Sequence, residues 1–262
     1  MLGIAQRMLD YIGLNSSKIP FGRKIYSFLL KLRYSLMFLL GTNTIFTDQL
    51  IRAINYNDID LIIDVGANDG QFGFELIRSG YKGKIISIEP LKEAYRVLKN
   101  NSRNYPSWTI FPQMALGARN GSTFINVSQN SVSSSLLDIL PAHLKAASNS
   151  KYIRKEKIKI YKLDSFINKF RKYKNILIKI DSQGYESYIL DGAKKILKSD
   201  NLRGLLIEVS FVKLYMNQKD FLYFYRKLTE LKFSIWGTEQ VFVDRKQGRA
   251  FQANLLAFKP ME

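Results

Sequence analysis

Residues 61–70, Leu-Ile-Ile-Asp-Val-Gly-Ala-Asn-Asp-Gly, constrain this chain more than any other stretch. An apolar run from Leu61 to Val65 ends in glycine-spaced turn chemistry, and a helix-like segment follows from Gln71. That order is strand, tight loop, helix start. Gly66 and Gly70 carry no Cβ, so such a loop lets backbone N–H groups approach a ligand closely. Asp64 falls near the carboxyl end of the strand, where ligands bind in open α/β sheets. The spacing is not the G-x-G-x-x-G that places a pyrophosphate on a helix N-terminus. Asp64 and Asp69 would repel phosphate and attract a cation.

The same theme returns downstream. Lys84–Ile88 predicts a second buried strand, ending in Glu89-Pro90. An acid about twenty residues after a glycine-rich loop can accept hydrogen bonds from a ribose diol. Pro90 stops the strand and seats a helix over 91–100. Ile176–Ile180 predicts a further buried strand delivering Asp181 to the same sheet edge, with Gly184 turning the chain into a helix over 185–197 that begins near Glu186. Leu205-Leu206-Ile207 does likewise for Glu208. Strands alternating with helices call for a parallel sheet covered on both faces. A late hairpin is predicted from strand 232–236, a turn at Gly237, strand 240–243, a turn near Gly248 and strand 254–258.

Several segments between these landmarks bear on chemistry. Met114, Ala115 and Leu116 follow a strand at 108–112 and suit either a flat ring or a core. Residues 130–136 are rich in hydroxyls, and Ser133, Ser134 and Ser135 read equally as a polar loop or a ligand contact. Lys155, Lys157 and Lys159 alternate with apolar residues, as on a strand with one basic face; a solvated edge strand is the default. Asp164 stands as an N-cap for the helix it begins. His143, the single histidine, lies in a predicted helix over 140–147, where a solvated surface position is the ordinary expectation and a general base the sharper one.

Composition removes some chemistries. The chain has no cysteine, so disulfides and thiolate metal sites are excluded, and one histidine rules out a histidine-rich metal site. Forty Lys and Arg against 22 Asp and Glu leave a net charge of +18, which favours anionic partners without choosing among them. Between Asp10 and Asp48 there is no acid, and Ile25, Phe28, Leu29, Leu32, Leu36 and Leu39 recur at helical spacing. Lys31 and Arg33 interrupt that run, which is short for a membrane span and lacks a signal-peptide layout. Residues 1–57 are therefore expected to form a basic helical extension. It either caps the domain or a second subunit in a homo-oligomer, or lies through residues 18–40 on an anionic membrane. Residues 58–262 are expected to form one catalytic domain.

The D-x-G-x-x-x-G after the first strand resembles motif I of the class I S-adenosylmethionine (SAM) methyltransferases. Taken with Glu89-Pro90, Ser133-Ser134-Ser135-Leu136, Leu163-Asp164-Ser165-Phe166 and Ile178-Lys179-Ile180-Asp181-Ser182-Gln183-Gly184-Tyr185-Glu186, the chain resembles the FkbM family of that class over about residues 60–258. Ser182 stands where many members are apolar, and Asn254 where an Asp is frequent. The resemblance implies a Rossmann-like α/β fold with a mostly parallel seven-stranded sheet and an antiparallel last strand. It implies SAM as cofactor, held by Asp64, Gly66, Ala67, Asn68, Asp69, Gly70, Phe72, Glu89, Pro90, Met114, Ala115, Leu116 and Asp181. It implies O-methylation of a sugar, glycan or related hydroxyl in the cytoplasm, with the inner membrane surface left open by the basic extension.

A sugar hydroxyl is a poor acid, so a base or a divalent metal would help. Asp181 is the leading base or metal ligand, with Glu186, Glu208 and His143 as the other candidates. Asp181, Glu186 and Glu208 would be the ligands of any metal. Ser133, Ser134, Ser135, Lys179 and Tyr185 are the candidate acceptor contacts. The absence of cysteine removes methyl transfer through a cysteine nucleophile. Asp181-Ser-Gln-Gly departs from the [DN]-P-P-[YFW] expected for amino-group methylation. Two alternatives stay open: an RNA ribose methyltransferase, with Lys179 and Asp181 acting on a 2′-hydroxyl, and a membrane-associated scaffold with a vestigial SAM fold.

Overall fold

The computed structural model describes residues 45–244 and 246–260. Of the basic extension expected over residues 1–57, residues 1–44, with the candidate membrane-contact stretch 18–40, lie outside them. The described chain opens on helix α1, Ile45–Tyr56. Then follow β1 (Leu61–Val65), α2 (Gln71–Arg78), β2 (Lys84–Ile88), α3 (Lys92–Asn101) and β3 (Trp108–Ile110). After an intervening region come β7 (Ile176–Ile180), a short helix α4 (Glu186–Asp191), β8 (Leu202–Ser210), α5 (Phe221–Glu230), β9 (Ser234–Asp244) and β10 (Arg249–Phe258).

These strands form a seven-stranded sheet in the order β3-β2-β1-β7-β8-β10-β9. β1 pairs in parallel with β2 and β7, and β7 with β8. β10 inserts antiparallel between β8 and β9. The apolar runs are near-continuous because both sheet faces are covered. Ile63, Val65, Ile178 and Ile180 pack on one side with Ile189, Leu190, Phe224 and Leu228. Ile62, Leu177 and Leu206 pack on the other with Leu50, Ile54, Leu76 and Leu98. Strand side chains alternate, so a one-residue slip would exchange the two sets; the core therefore fixes which residues reach the rim. At about 1.5–3 kcal/mol for each large apolar side chain buried, the register is strongly held.

The region between β3 and β7 forms a separate three-stranded sheet in the order β4-β6-β5: β4 (Ala115–Leu116), β5 (Gly121–Ser128) and β6 (Tyr152–Tyr161). β6 is its centre, not an edge as expected. Lys155, Lys157 and Lys159 are exposed on the outer face, while Ile158 and Ile160 join a small core with Leu91, Ala94, Ile125 and Val127.

Three predicted elements differ. The expected turn at Gly237 is absent, and β9 runs through it. Its missing Cβ lets α1 approach: a Cβ there would lie 2.6 Å from Gln49 Nε2, which donates to the Trp236 carbonyl. The expected helix 185–197 is two pieces, α4 and a single turn at Lys194–Leu197. Asp164 caps that second piece, not its own segment, accepting from Lys195 N and Ile196 N at 2.9 and 3.1 Å. Among the described residues no helix is long and apolar enough to cross a membrane.

Candidate active site

The turns after β1, β2 and β7 meet at the carboxyl rim of the sheet. Gly66 N and Ala67 N both donate to the Ile88 carbonyl, at 3.0 and 3.1 Å, and Asp181 N donates to the Val65 carbonyl at 3.1 Å. Gly66, at φ +77°, makes the closest approach: a Cβ there would sit 1.8 Å from the Asp181 carbonyl oxygen. Only glycine meets both conditions, so the loop after β1 is bound to the tip of β7. The rest of that loop closes onto Glu89. Asn68 N donates to Glu89 Oε2 and Leu91 N to Oε1, each at 2.8 Å. Burial pushes the Glu89 carboxyl up to about 7, against the pull of those two hydrogen bonds.

Asp64 differs from its expected place. Its side chain has no exposed surface, so the direct cofactor contact expected of it gives way to internal partners. Ser87 Oγ donates to Asp64 Oδ2 at 3.0 Å, and Trp108 Nε1 donates to Ser87 Oγ at 2.9 Å. Lys179 Nζ lies 3.3 Å from Asp64 Oδ1 and 3.5 Å from Asp181 Oδ2, and donates to the Gly66 carbonyl at 3.2 Å. The ammonium thus makes one hydrogen bond, to the Gly66 carbonyl, and ion pairs with both carboxylates. Lys179 therefore organises the rim from within, where an acceptor contact was expected. Burial alone would lower its pKa, but Asp64 and Asp181 outweigh burial and hold it above the ordinary lysine value.

Asp181 is the carboxylate that reaches solvent, with a side chain 34% exposed. Gln183 Nε2 donates both to Asp181 Oδ1 at 3.1 Å and to Glu208 Oε2 at 3.0 Å. Gln252 Nε2 also donates to Glu208 Oε2, at 2.6 Å. The Tyr215 hydroxyl donates to Gln183 Oε1 at 2.8 Å. Glu208 is buried, and burial, with Asp181 and Glu186 nearby, raises its pKa well above the carboxylate range. Glu186 turns inward: its Oε1 accepts from Ser182 N at 2.9 Å and Gly184 N at 3.1 Å, knotting the loop that carries Asp181. Burial pushes it up to about 7. Two amide donors thus stand where the expected metal ligands would converge. Among the described residues no group of three or more His, Asp or Glu side chains could hold a metal ion.

The serine segment is a strut where a substrate-facing loop was one expectation. Ser135 Oγ donates to the Gln183 carbonyl at 2.7 Å and accepts from Leu137 N; Ser134 Oγ accepts from Ser128 N; Ser133 Oγ accepts from Ser150 Oγ. All three serines are buried. Met114, Ala115 and Leu116 are buried too, within the hydrophobic cores. His143 is not solvated: it is 3% exposed, packed against Tyr215 and Phe242, and burial lowers its pKa to about 4. Tyr185 stacks on Tyr188 with ring centroids 4.4 Å apart. Phe72 lies under Lys179, 5.6 Å from its Nζ to the ring centre. Gln183 and Tyr215 went unnoticed in the sequence. Gln183 lies inside the quoted run, whereas nothing local marks Tyr215.

A parallel sheet with this order, its last strand reversed and an acid-rimmed glycine loop after β1, is the class I methyltransferase architecture that works with SAM. A model of the methyltransferase FkbM domain matches residues 64–235, and the chain belongs to that family. No curated protein matches the chain. Solved structures resemble it in fold. The methyltransferase domain of bacterial CtHen1 is 9% identical, covering 82% of this chain and 97% of that one, at TM-score 0.46. M. capricolum TrmK, in complex with S-adenosyl-homocysteine, is 9% identical with coverages of 83% and 68% at TM-score 0.40. Aeropyrum pernix fibrillarin with natively bound SAM is 10% identical with coverages of 76% and 66% at TM-score 0.39.

The residues present fit such a cofactor. Asp69 Oδ1 is buried in the loop without a hydrogen-bond partner, an acceptor suited to an ammonium, and Glu89 adds two oxygens suited to a diol. The loop offers backbone and carboxylates, which suits a cationic ligand without phosphate.

Proposed function

We propose that this methyltransferase moves the methyl group of SAM to a hydroxyl of a sugar or glycan, with Asp181 as the base. The observation that carries the reading is the orientation of Asp181. One oxygen is held by Lys179 and the other by Gln183, yet the carboxylate remains open at the rim, on a backbone tied to the start of the glycine loop. In this reading Asp69 and the 66–70 loop hold the amino-acid end of the cofactor, Glu89 holds the ribose, and Phe72 lines the floor. When bound, SAM supplies a methyl group already activated by the sulfonium. Asp181 aligns the acceptor hydroxyl, whose oxygen gains the methyl as the sulfur–carbon bond breaks, and takes the released proton. Glu186 and Glu208, whose carboxyls burial raises above the ordinary value, brace the Asp181 loop.

Labelled SAM incubated with panels of glycans and RNA tests the acceptor class. Transfer to glycan hydroxyls is the expected result; transfer to RNA alone would replace that acceptor class. Asp181→Asn is expected to lower kcat by about 10²–10⁴-fold with S-adenosylhomocysteine affinity nearly unchanged. Full turnover in that variant removes the base role.

A further inference from the structure

Beside the Asp181 loop lies a second cleft, of about 500 Å³, lined by Tyr188, Lys213, Asn217, Gln218, Lys219 and Asp220. Its size is that of a small-molecule site. It communicates with the candidate base through packed groups. Gln218 Oε1 accepts from Leu214 N and Tyr215 N at 2.9 and 3.2 Å, anchoring the loop whose Tyr215 hydroxyl reaches Gln183. Tyr215 also packs on Gly184, where a Cβ would meet its ring at 2.9 Å. From the other side, Tyr185 leaves the Asp181 loop and stacks on Tyr188, which forms a wall of the cleft.

The lining is chemically mixed in a specific way. Lys213 and Lys219 line it with exposed side chains, the Lys219 Nζ standing 5.6 Å from the centre of the Tyr223 ring. Tyr188 brings an aromatic face, and Asn217 and Asp220 bring short polar side chains. Gln218 is buried and spends its amide on the loop and on Ser210, so it forms the floor. Two ammonium groups suit a phosphate, which takes charge-assisted hydrogen bonds. An aromatic face suits the C–H side of a sugar ring. An amide and a carboxylate suit sugar hydroxyls. The net charge of +18 would also raise the local concentration of an anion.

We infer that this cleft, formed by Tyr188, Lys213, Asn217 and Lys219, binds the phosphate-bearing part of a glycosyl phosphate acceptor. The inference deepens the acceptor assignment above and rests on it. The phosphate belongs either to a free sugar phosphate or to a sugar linked through phosphate to a lipid.

Isothermal titration of the full chain, loaded with S-adenosylhomocysteine, tests it with glucose 1-phosphate, its octyl diester, glucose and inorganic phosphate. Glucose 1-phosphate or the diester is expected to bind more tightly than glucose or phosphate alone. Preference for the monoester assigns the cleft to a free sugar phosphate, and equal or tighter binding of the diester to a lipid-linked one. Lys213→Glu with Lys219→Glu is expected to weaken that binding by about tenfold or more. Lys198→Glu with Lys232→Glu, the same charge change at the other end of the sheet, is expected to leave it within about twofold. No binding of either phosphate ester, or binding indifferent to Lys213 and Lys219, overturns the cleft assignment while S-adenosylhomocysteine binding keeps the methyltransferase reading intact. If S-adenosylhomocysteine itself does not bind, the cofactor reading fails, and the ester titrations without it still decide the cleft.

Discussion

The two rims of the seven-stranded sheet use similar residues in different surroundings. At the amino rim a cleft of about 810 Å³ is lined by Asn57, Asp58, Lys198, Asp200, Arg203, Lys232 and Lys259 among others. It is the larger cleft, yet its charges are mostly exposed and mixed in sign. Its buried order comes from backbone: Asp60 accepts from Lys174 N and Asn175 N, each at 2.9 Å, and Lys259 Nζ donates to the Ser199 carbonyl. At the carboxyl rim the carboxylates of Asp64, Glu89 and Glu208 are buried around one lysine, and Glu186 is buried in the adjoining turn. Desolvation there shifts proton affinities and makes each partner matter; in the open cleft water screens the same groups. The size of a cavity is therefore a poorer guide to chemistry than the burial of its charges.

The largest expected difference concerns the two lysines. Lys179→Met leaves Asp64 buried and without its counter-ion, so urea unfolding should show a loss of about 3–5 kcal/mol. Lys259→Met at the other rim should cost about 1 kcal/mol or less. Equal costs would erase the contrast.

Glu186→Gln sharpens it through pH. The wild-type carboxyl is raised from the ordinary value of 4.5 to about 7, so the folded state binds the extra proton between those values. Stability from this group is complete below pH 4.5 and is lost as pH rises through about 7. A glutamine can keep both loop hydrogen bonds through Oε1. The variant should lack this loss, worth at most about 3 kcal/mol at pH 8. Denaturation series at pH 5 and pH 8 measure it, and an unchanged pH slope would contradict the burial argument.

Gly66→Val forces a side chain onto the Asp181 carbonyl at a left-handed φ. S-adenosylhomocysteine affinity should fall by about 100-fold by calorimetry, against little change for Asp200→Ala at the opposite rim. Wild-type affinity in Gly66→Val would remove the cofactor from this loop.

The smallest effect belongs to His143. Its pKa of about 4 lies below the ordinary 6.5, so its contribution is present above pH 6.5 and is lost as pH falls through 4. His143→Phe should remove about 2 kcal/mol of acid sensitivity at pH 5, read as a higher Tm there. Retained turnover at neutral pH fits a packing role; loss of turnover in a stable variant would restore His143 as a candidate base.

Much of the carboxyl rim is legible along the chain. Leu61–Val65 and Ile176–Ile180 are apolar enough to be buried on both faces, and parallel strands then bring Asp64, Glu89 and Asp181 to one end of the sheet. The directions of their side chains are not legible. Asp64 turns inward because Ser87, 23 residues away, and Lys179 both meet it. Ser133, Ser134 and Ser135 look like a polar loop by composition, but their partners come from Ser128, Ser150 and Gln183. Asp164 caps a turn 31 residues further on.

Periodicity and turn residues were enough to determine the alternating architecture, and the motifs after β1 and β7 to carry the family resemblance, because these are written in neighbouring residues. Tertiary structure alone decided which acids are desolvated, which is open, and which lysine balances them. A buried charge takes its properties from whatever the fold places around it, and for Asp181 those neighbours are Lys179, Gln183, Glu208 and, through Gln183, Tyr215.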